Sequence, residues 1–123
     1  MAVRSYKAAA DLSSYQYHFV KLTADNTVNL CGNNERAVGI LQNKPDTAGQ
    51  EAVVALPGEV SKMVAGEAIA IGKMITSKAD GHGEVADAAS EWVCALAQFK
   101  AADAAGDIID VLVAGFDAHE SDA

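Results

Sequence analysis

Apolar residues in this chain fall in short runs that recur roughly every ten residues and are broken by glycine, proline, asparagine and aspartate. Runs of this length and spacing are typical of all-β sandwiches and barrels. The breaks come too often for long helices. The pattern therefore predicts strands near Tyr17–Leu22, Thr27–Cys31, Ala37–Leu41, Glu51–Leu56, Val60–Val64, Lys73–Ser77, Glu84–Ala86, Trp92–Gln98 and Asp107–Ala114.

The residues between these runs have the chemistry of tight turns. Asparagine, aspartate and glycine accept a left-handed backbone or bond their own main chain, and proline favours the start of a turn. The dipeptide Asp80-Gly81 is suited to a hairpin because glycine takes a positive φ without steric cost. Turns are expected there and at Ala24–Asn26, Gly32–Asn34, Lys44–Asp46 and Pro57-Gly58.

Two segments also allow a helix. Asp11 to Ser14 has the side-chain oxygens that cap a first helical turn, over Leu12–Tyr15. Trp92, Leu96 and Phe99 stand at helical spacing within Trp92–Ala105, but larger residues also alternate there with smaller ones, as in a strand. We interpret the second segment as a strand. The fold class predicted is mainly β, a small sandwich or barrel-like fold with at most one or two short helices.

A chain of 123 residues corresponds to about one domain, with enough length for one modest core. Half of its residues are apolar, but many of these are alanines, which bury little area. Self-association is therefore a plausible source of stability. We assign residues 1–10 to a flexible N-terminal arm, 11–116 to the β domain, and 117–123 to an acidic C-terminal tail.

Four stretches resemble one family, the capsid cement or head-decoration proteins of tailed bacteriophages. The resemblance lies in the order of short apolar runs and glycines in VGILQNKP (Val38–Pro45), EAVVALPGEVSKMVAG (Glu51–Gly66), GEAIAIGKMITSKADGHG (Gly66–Gly83) and AAGDIIDVLVAG (Ala104–Gly115). It implies a β-rich, trimeric protein on the outside of a phage head. It also favours a strand from Trp92, a loop at Ala101–Gly106 and a returning strand.

The net charge of −8 argues against nucleic-acid binding, which depends on clustered lysine and arginine. Only the first seven residues are locally basic, through Arg4 and Lys7. No apolar segment has the length of a signal peptide core or a membrane span. We therefore expect synthesis in the host cytoplasm, no membrane partner, and reduced, buried thiols at Cys31 and Cys94.

The sequence contains no recognisable catalytic or nucleotide-binding motif. Asp80, His82, Glu84 and Asp87 lie close together, but their spacing fits neither a calcium loop nor a zinc site. A solvated hairpin tip explains them better. No local signature joins a nucleophile to His18, His82 or His119. We expect no metal, no cofactor and no enzymatic activity.

Two classes of function remain open. In the first, the protein binds the major capsid protein at subunit junctions on the outer capsid surface and stabilises the shell against DNA pressure, as a homotrimer. The N-terminal arm is then the segment expected to bind the capsid. It would do so by strand addition to a neighbour's sheet, through Val3, Arg4, Tyr6 and Lys7. In the second, the chain is a small β-rich module that binds a ligand or glycan, or an accessory subunit of an enzyme complex.

Overall fold

The computed structural model describes residues 3–33, 35–86 and 92–117. Within these ranges the chain forms ten β-strands and no helix, which confirms the predicted fold class. The strands are β1 Val3–Ala8, β2 Phe19–Ala24, β3 Thr27–Leu30, β4 Gly39–Leu41, β5 Glu51–Ala55, β6 Val60–Val64, β7 Met74–Ser77, β8 Gly83–Val85, β9 Trp92–Leu96 and β10 Ile108–Asp117. The described ranges therefore contain no helix that could span a membrane.

The first five strands close into a barrel in the order β1-β3-β2-β4-β5, and β5 pairs back onto β1. All pairs are antiparallel except β1 with β3. The other five strands form an open antiparallel sheet in the order β6-β10-β9-β7-β8. We call this the second sheet.

The core has two parts because adjacent residues of the barrel strands point to opposite faces. One part fills the barrel with Ala8, Leu12, Val20, Val28, Leu41, Ala52 and Val54. The other lies between the barrel wall and the second sheet, where Phe19, Ile40 and Ala55 pack with Met63, Ile75, Ile109 and Val111. The continuous apolar runs seen in the sequence are therefore buried on both sides.

Residues 3–8 correct the prediction of a flexible arm. They form β1, in which Val3 to Lys7 pair with Ala55 to Glu51 of β5. Lys7 and Ala8 pair with Thr27 and Val28 of β3. Without these pairs the edges of β3 and β5 would be open. The segment is part of the barrel wall and is not free to add to a neighbour's sheet.

The two segments with helical signals are not helical. Trp92–Leu96 is strand β9, as the alternation of larger and smaller residues predicts. Leu12 to Tyr15 forms a single turn, in which the Tyr15 amide donates to the Leu12 carbonyl at 3.0 Å. The Asp11 carboxylate accepts from the Ser13 amide at 3.0 Å, and this bond lowers the pKa of Asp11. The last strand reaches Asp117, and the rest of the predicted tail, 118–123, lies outside the described residues.

The Asp80-Gly81 turn joins β7 to β8 and also contacts the barrel. Gly81 has a φ of 73°, the left-handed conformation expected from its sequence. Its carbonyl accepts a hydrogen bond from the Phe19 amide at 2.7 Å. Two more bonds link barrel to sheet, from the Val64 amide to the Tyr17 carbonyl at 3.0 Å and from Gln42 Nε2 to Ser61 Oγ at 2.8 Å. The two halves therefore share polar contacts as well as a core.

Candidate functional site

A concave surface lies at one end of the barrel, which we call the barrel mouth. At this end β1, β3 and β4 begin and β2 and β5 end, because of the way these strands pair. The groove there has a volume of about 540 Å³. Its lining residues are Tyr6, Leu22, Arg36, Ala37, Val38, Leu56 and Pro57. Barrel mouths are common positions for binding sites.

The apolar lining continues the interior core toward solvent. Tyr6, Val38 and Leu56 are half-buried and pack against the barrel core. Leu22 points the same way from the end of β2 but is 54% exposed, because no residue of the described ranges covers it. An apolar side chain brought by a partner would bury this leucine.

One edge of β1 is open beside the groove. Residues 3–6 pair with β5 on one side, whereas the pairing with β3 is confined to Lys7 and Ala8. Within the described ranges, the other side of residues 3–6 therefore has no strand beside it. A strand edge of this kind accepts an added strand through its main-chain groups.

The rim of the mouth carries positive charge in an otherwise acidic chain. The Arg4 guanidinium lies 5.6 Å from the centre of the Tyr6 ring, and that of Arg36 lies 5.4 Å from the centre of the Trp92 ring. Lys7 is exposed further along β1, opposite Glu51 at the start of β5 and away from the rim. Nearby, Lys21 Nζ is bonded to the Glu35 carboxylate at 2.7 Å, which lowers the pKa of Glu35. Arg4 and Arg36 are thus the rim cations available to an acidic partner.

All four residues predicted for binding lie on β1. Tyr6 lines the groove and Arg4 lies over its ring, whereas Val3 and Lys7 face away from the barrel interior and are exposed. Sequence reasoning missed the rest of the mouth, namely Leu22, Arg36, Ala37, Val38, Leu56 and Pro57. In the sequence, these apolar residues look like ordinary core positions.

The acidic and histidine residues near the Asp80-Gly81 turn include one close pair. His82 Nε2 lies 3.2 Å from Glu84 Oε2, and Asp80 is exposed. Asp87 lies outside the described residues. No group of three or more His, Cys, Asp or Glu in the described ranges is placed to hold a metal ion. His18 packs edge-on against Tyr15, with ring centres 5.4 Å apart, and burial lowers its pKa.

Both cysteine thiols are buried between the barrel and the second sheet, as expected. Cys31 Sγ donates to the Glu35 carbonyl at 3.3 Å. Burial raises the pKa of Cys31 to about 11 and also raises the pKa of Cys94. The neutral thiol is therefore favoured by folding. Its contribution to stability is present below the unfolded pKa and is lost as pH rises through about 11.

These thiols are expected to be unreactive in the folded protein. At pH 8, labelling with an aromatic disulfide reagent should be slow for both cysteines and become fast in guanidinium, because the reactive species is an exposed thiolate. A Leu22→Cys variant, with its thiol at an exposed position, is the control and should label at once. Fast labelling of the folded natural sequence would contradict the burial of Cys31 and Cys94.

The fold and this groove define a small all-β protein with a surface suited to binding an extended segment. No protein-family model matches the chain, and no curated protein matches it. Among solved structures, the chain is similar to the head fiber gp8.5 N base of bacteriophage phi29, with a TM-score of 0.69. The two are 18% identical over 94% of this chain and 95% of that chain. The likeness spans both halves of the fold.

Proposed function

We propose that this protein is a structural component of a tailed-phage head. The observation that carries the proposal is the shared fold with the base of a phage head fiber over nearly the whole of both chains. The protein sits on the outer capsid surface, binds the major capsid protein where its subunits meet, and stabilises the shell. Three copies acting together raise the avidity of contacts that are weak one at a time.

The barrel mouth is the proposed contact with the capsid. We infer that an extended, acidic segment of the major capsid protein pairs with the open edge of β1 at residues 3–6 and places an apolar side chain beside Leu22. Arg4 and Arg36 then meet its carboxylates. This changes the role of β1 from a strand that is donated to a strand that accepts a partner. Val3, Arg4, Tyr6 and Lys7 remain the proposed contact residues.

Co-sedimentation with capsids tests the proposal. The probe is empty heads assembled from the major capsid protein of the same phage genome. The natural protein should pellet with these heads, and Leu22→Lys should bind at least tenfold more weakly, because burial of a leucine contributes about 1.5–3 kcal/mol. Ala48→Lys is the matched control, since Ala48 is exposed and lies in the β4–β5 connection at the opposite end of the barrel.

The outcomes separate the parts of the proposal. If the natural protein stays in the supernatant, the capsid role is wrong and the ligand-module alternative gains support. If Leu22→Lys and Ala48→Lys both pellet like the natural protein, the capsid contact lies elsewhere than the mouth. Added salt should weaken binding, because the contact depends on charges at the rim.

A further inference from the structure

The outer face of the second sheet carries a continuous apolar row. Val60 of β6 lies opposite Leu112 of β10, Leu112 lies opposite Leu96 of β9, and Leu96 lies opposite Met74 of β7. Directly paired residues share a face, so these four side chains form one row across four strands. Val60 is 54% exposed and the other three are half-buried.

The rest of this face is also unusual for a surface in contact with water. Val64 lies opposite Ile108, which is 51% exposed. Lys62 and Asp110 form a charged pair between them and the row, and Glu84 on β8, at the far edge of this face, lies 3.2 Å from His82 Nε2. The solvent face of an antiparallel sheet is normally polar at these alternating positions. Exposed apolar area of this kind is typical of an interface.

Two loop residues extend the apolar surface at the end of the row. The loops before β7 and after β9 are held together by a hydrogen bond from the Gly72 amide to the Ala97 carbonyl at 2.7 Å. Ile71 in the first loop is 56% exposed, and Phe99 in the second is 53% exposed. Both lie next to the end of the sheet where Met74 and Leu96 are paired.

We propose that copies of this chain pack on one another through the outer face of the second sheet, with Lys62 of one copy against Asp110 of the next. This proposal names the surface for the self-association included in the proposed function. The charges favour a second copy as the occupant. The chain has a net charge of −8, yet the charged residues on the strands of this face that have no ion pair within the described ranges are one cation and one anion, Lys62 and Asp110. This part of the face is therefore complementary to itself.

The two charged groups are available for such a contact. Within the described ranges, neither Lys62 nor Asp110 forms an ion pair. Lys62 lies on β6, at the edge of the sheet, and Asp110 lies on the neighbouring strand β10. In a ring of three copies, each face turns toward the axis, and the lysine and the aspartate are offered to opposite neighbours. The apolar rows then meet near the axis.

Sedimentation velocity over a range of concentrations tests the surface. The natural protein should sediment as an oligomer of its 12.7 kDa chain, with three copies expected. Val60→Lys should raise the dissociation constant at least tenfold. Leu22→Lys is the matched control, because the two natural side chains are both 54% exposed and only Val60 lies on this face. Thermal melts of each variant as a monomer establish that it is folded.

Charge reversal provides a second, independent measurement. Lys62→Asp alone gives two anions at positions 62 and 110, and Asp110→Lys alone gives two cations there, so each should associate more weakly than the natural protein. An equimolar mixture of the two variants should associate more tightly than either variant alone, because two of the three junctions in a mixed trimer then join opposite charges. Recovery by mixing cannot come from repair of the pair within one chain, because each chain in the mixture still carries only one sign at positions 62 and 110.

The results distinguish whether the protein self-associates from whether it does so through this face. If the natural protein is strictly monomeric at high micromolar concentration, the proposed self-association is wrong, and so is its assignment to this surface. If it is oligomeric but Val60→Lys associates as tightly as Leu22→Lys, and mixing of the charge variants recovers nothing, self-association holds and this face is wrong. Weakening by Val60→Lys together with recovery on mixing supports the face.

Discussion

Removing residues 1–8 is expected to abolish the cooperative fold. These residues include β1, which pairs with β5 along five residues and with β3 along two. Each main-chain hydrogen bond contributes about 0.5–1.5 kcal/mol, so the loss of five or more costs about 3–8 kcal/mol. Small domains have only about 5–15 kcal/mol in total. The truncation also exposes the barrel core beside the missing Ala8, which is buried.

Circular dichroism melts and urea titration measure this effect. The truncated chain should show no sharp transition or one greatly reduced in midpoint. The control is Arg4→Ala/Lys7→Ala, which removes two exposed side chains but keeps every main-chain pair, and its free energy of unfolding should change by less than about 1 kcal/mol. A synthetic peptide of residues 1–10 should restore the transition by filling the vacant strand position. A truncated protein that melts like the full chain would contradict the role of β1.

Gly81→Ala is expected to be severely destabilising for a substitution that adds a single methyl group. This methyl group would lie 2.6 Å from Leu30 Cδ1 and 2.8 Å from the Phe19 carbonyl oxygen. Because the second contact is with main chain, it cannot be relieved by a change of rotamer. The φ of 73° adds the ordinary cost of a left-handed alanine, about 1 kcal/mol. Together these effects should cost about 3–5 kcal/mol.

Gly58→Ala separates the two contributions. Gly58 has a φ of 101°, but nothing lies within 4 Å of an added methyl group. Its substitution should therefore cost only the backbone strain, about 1–2 kcal/mol. Urea titration of both variants gives the comparison. If the two lose equal stability, then the contact of the Asp80-Gly81 turn with the barrel has no energetic importance.

Local patterns were sufficient to predict nine of the strands near their observed positions. They failed for β1 because Val3–Ala8 has no apolar run: three of its first four residues are exposed, and its neighbours come from residues 27–28 and 51–55. Its order depends on pairing between distant parts of the chain. The closure of the barrel is likewise a property of long-range pairing that no window of sequence contains.

The same dependence on long-range strand pairing explains why only part of the candidate site could be predicted from the sequence. Arg4 and Tyr6 are distinctive in the sequence because they are a basic and an aromatic residue near a chain end. Leu22 and Leu56 are ordinary strand residues in the sequence, and they become surface features only because the barrel ends beside them. The outer row of the second sheet was hidden similarly, since Val60 and Leu112 are indistinguishable from core residues until their strands are paired.

The position of β10 sets the order in which the protein can be built during translation. β10 follows β6 and β9 in the chain, yet it lies between them in the sheet. The barrel strands all precede residue 56, so the barrel can close while the ribosome is still synthesising the remainder. Its outer wall at Phe19 and Ile40 then lacks the cover supplied by Ile109, Val111 and Val113 until β10 emerges from the exit tunnel. In that interval the nascent chain exposes apolar surface that is prone to aggregation, and this is the stage at which chaperone binding would protect it most.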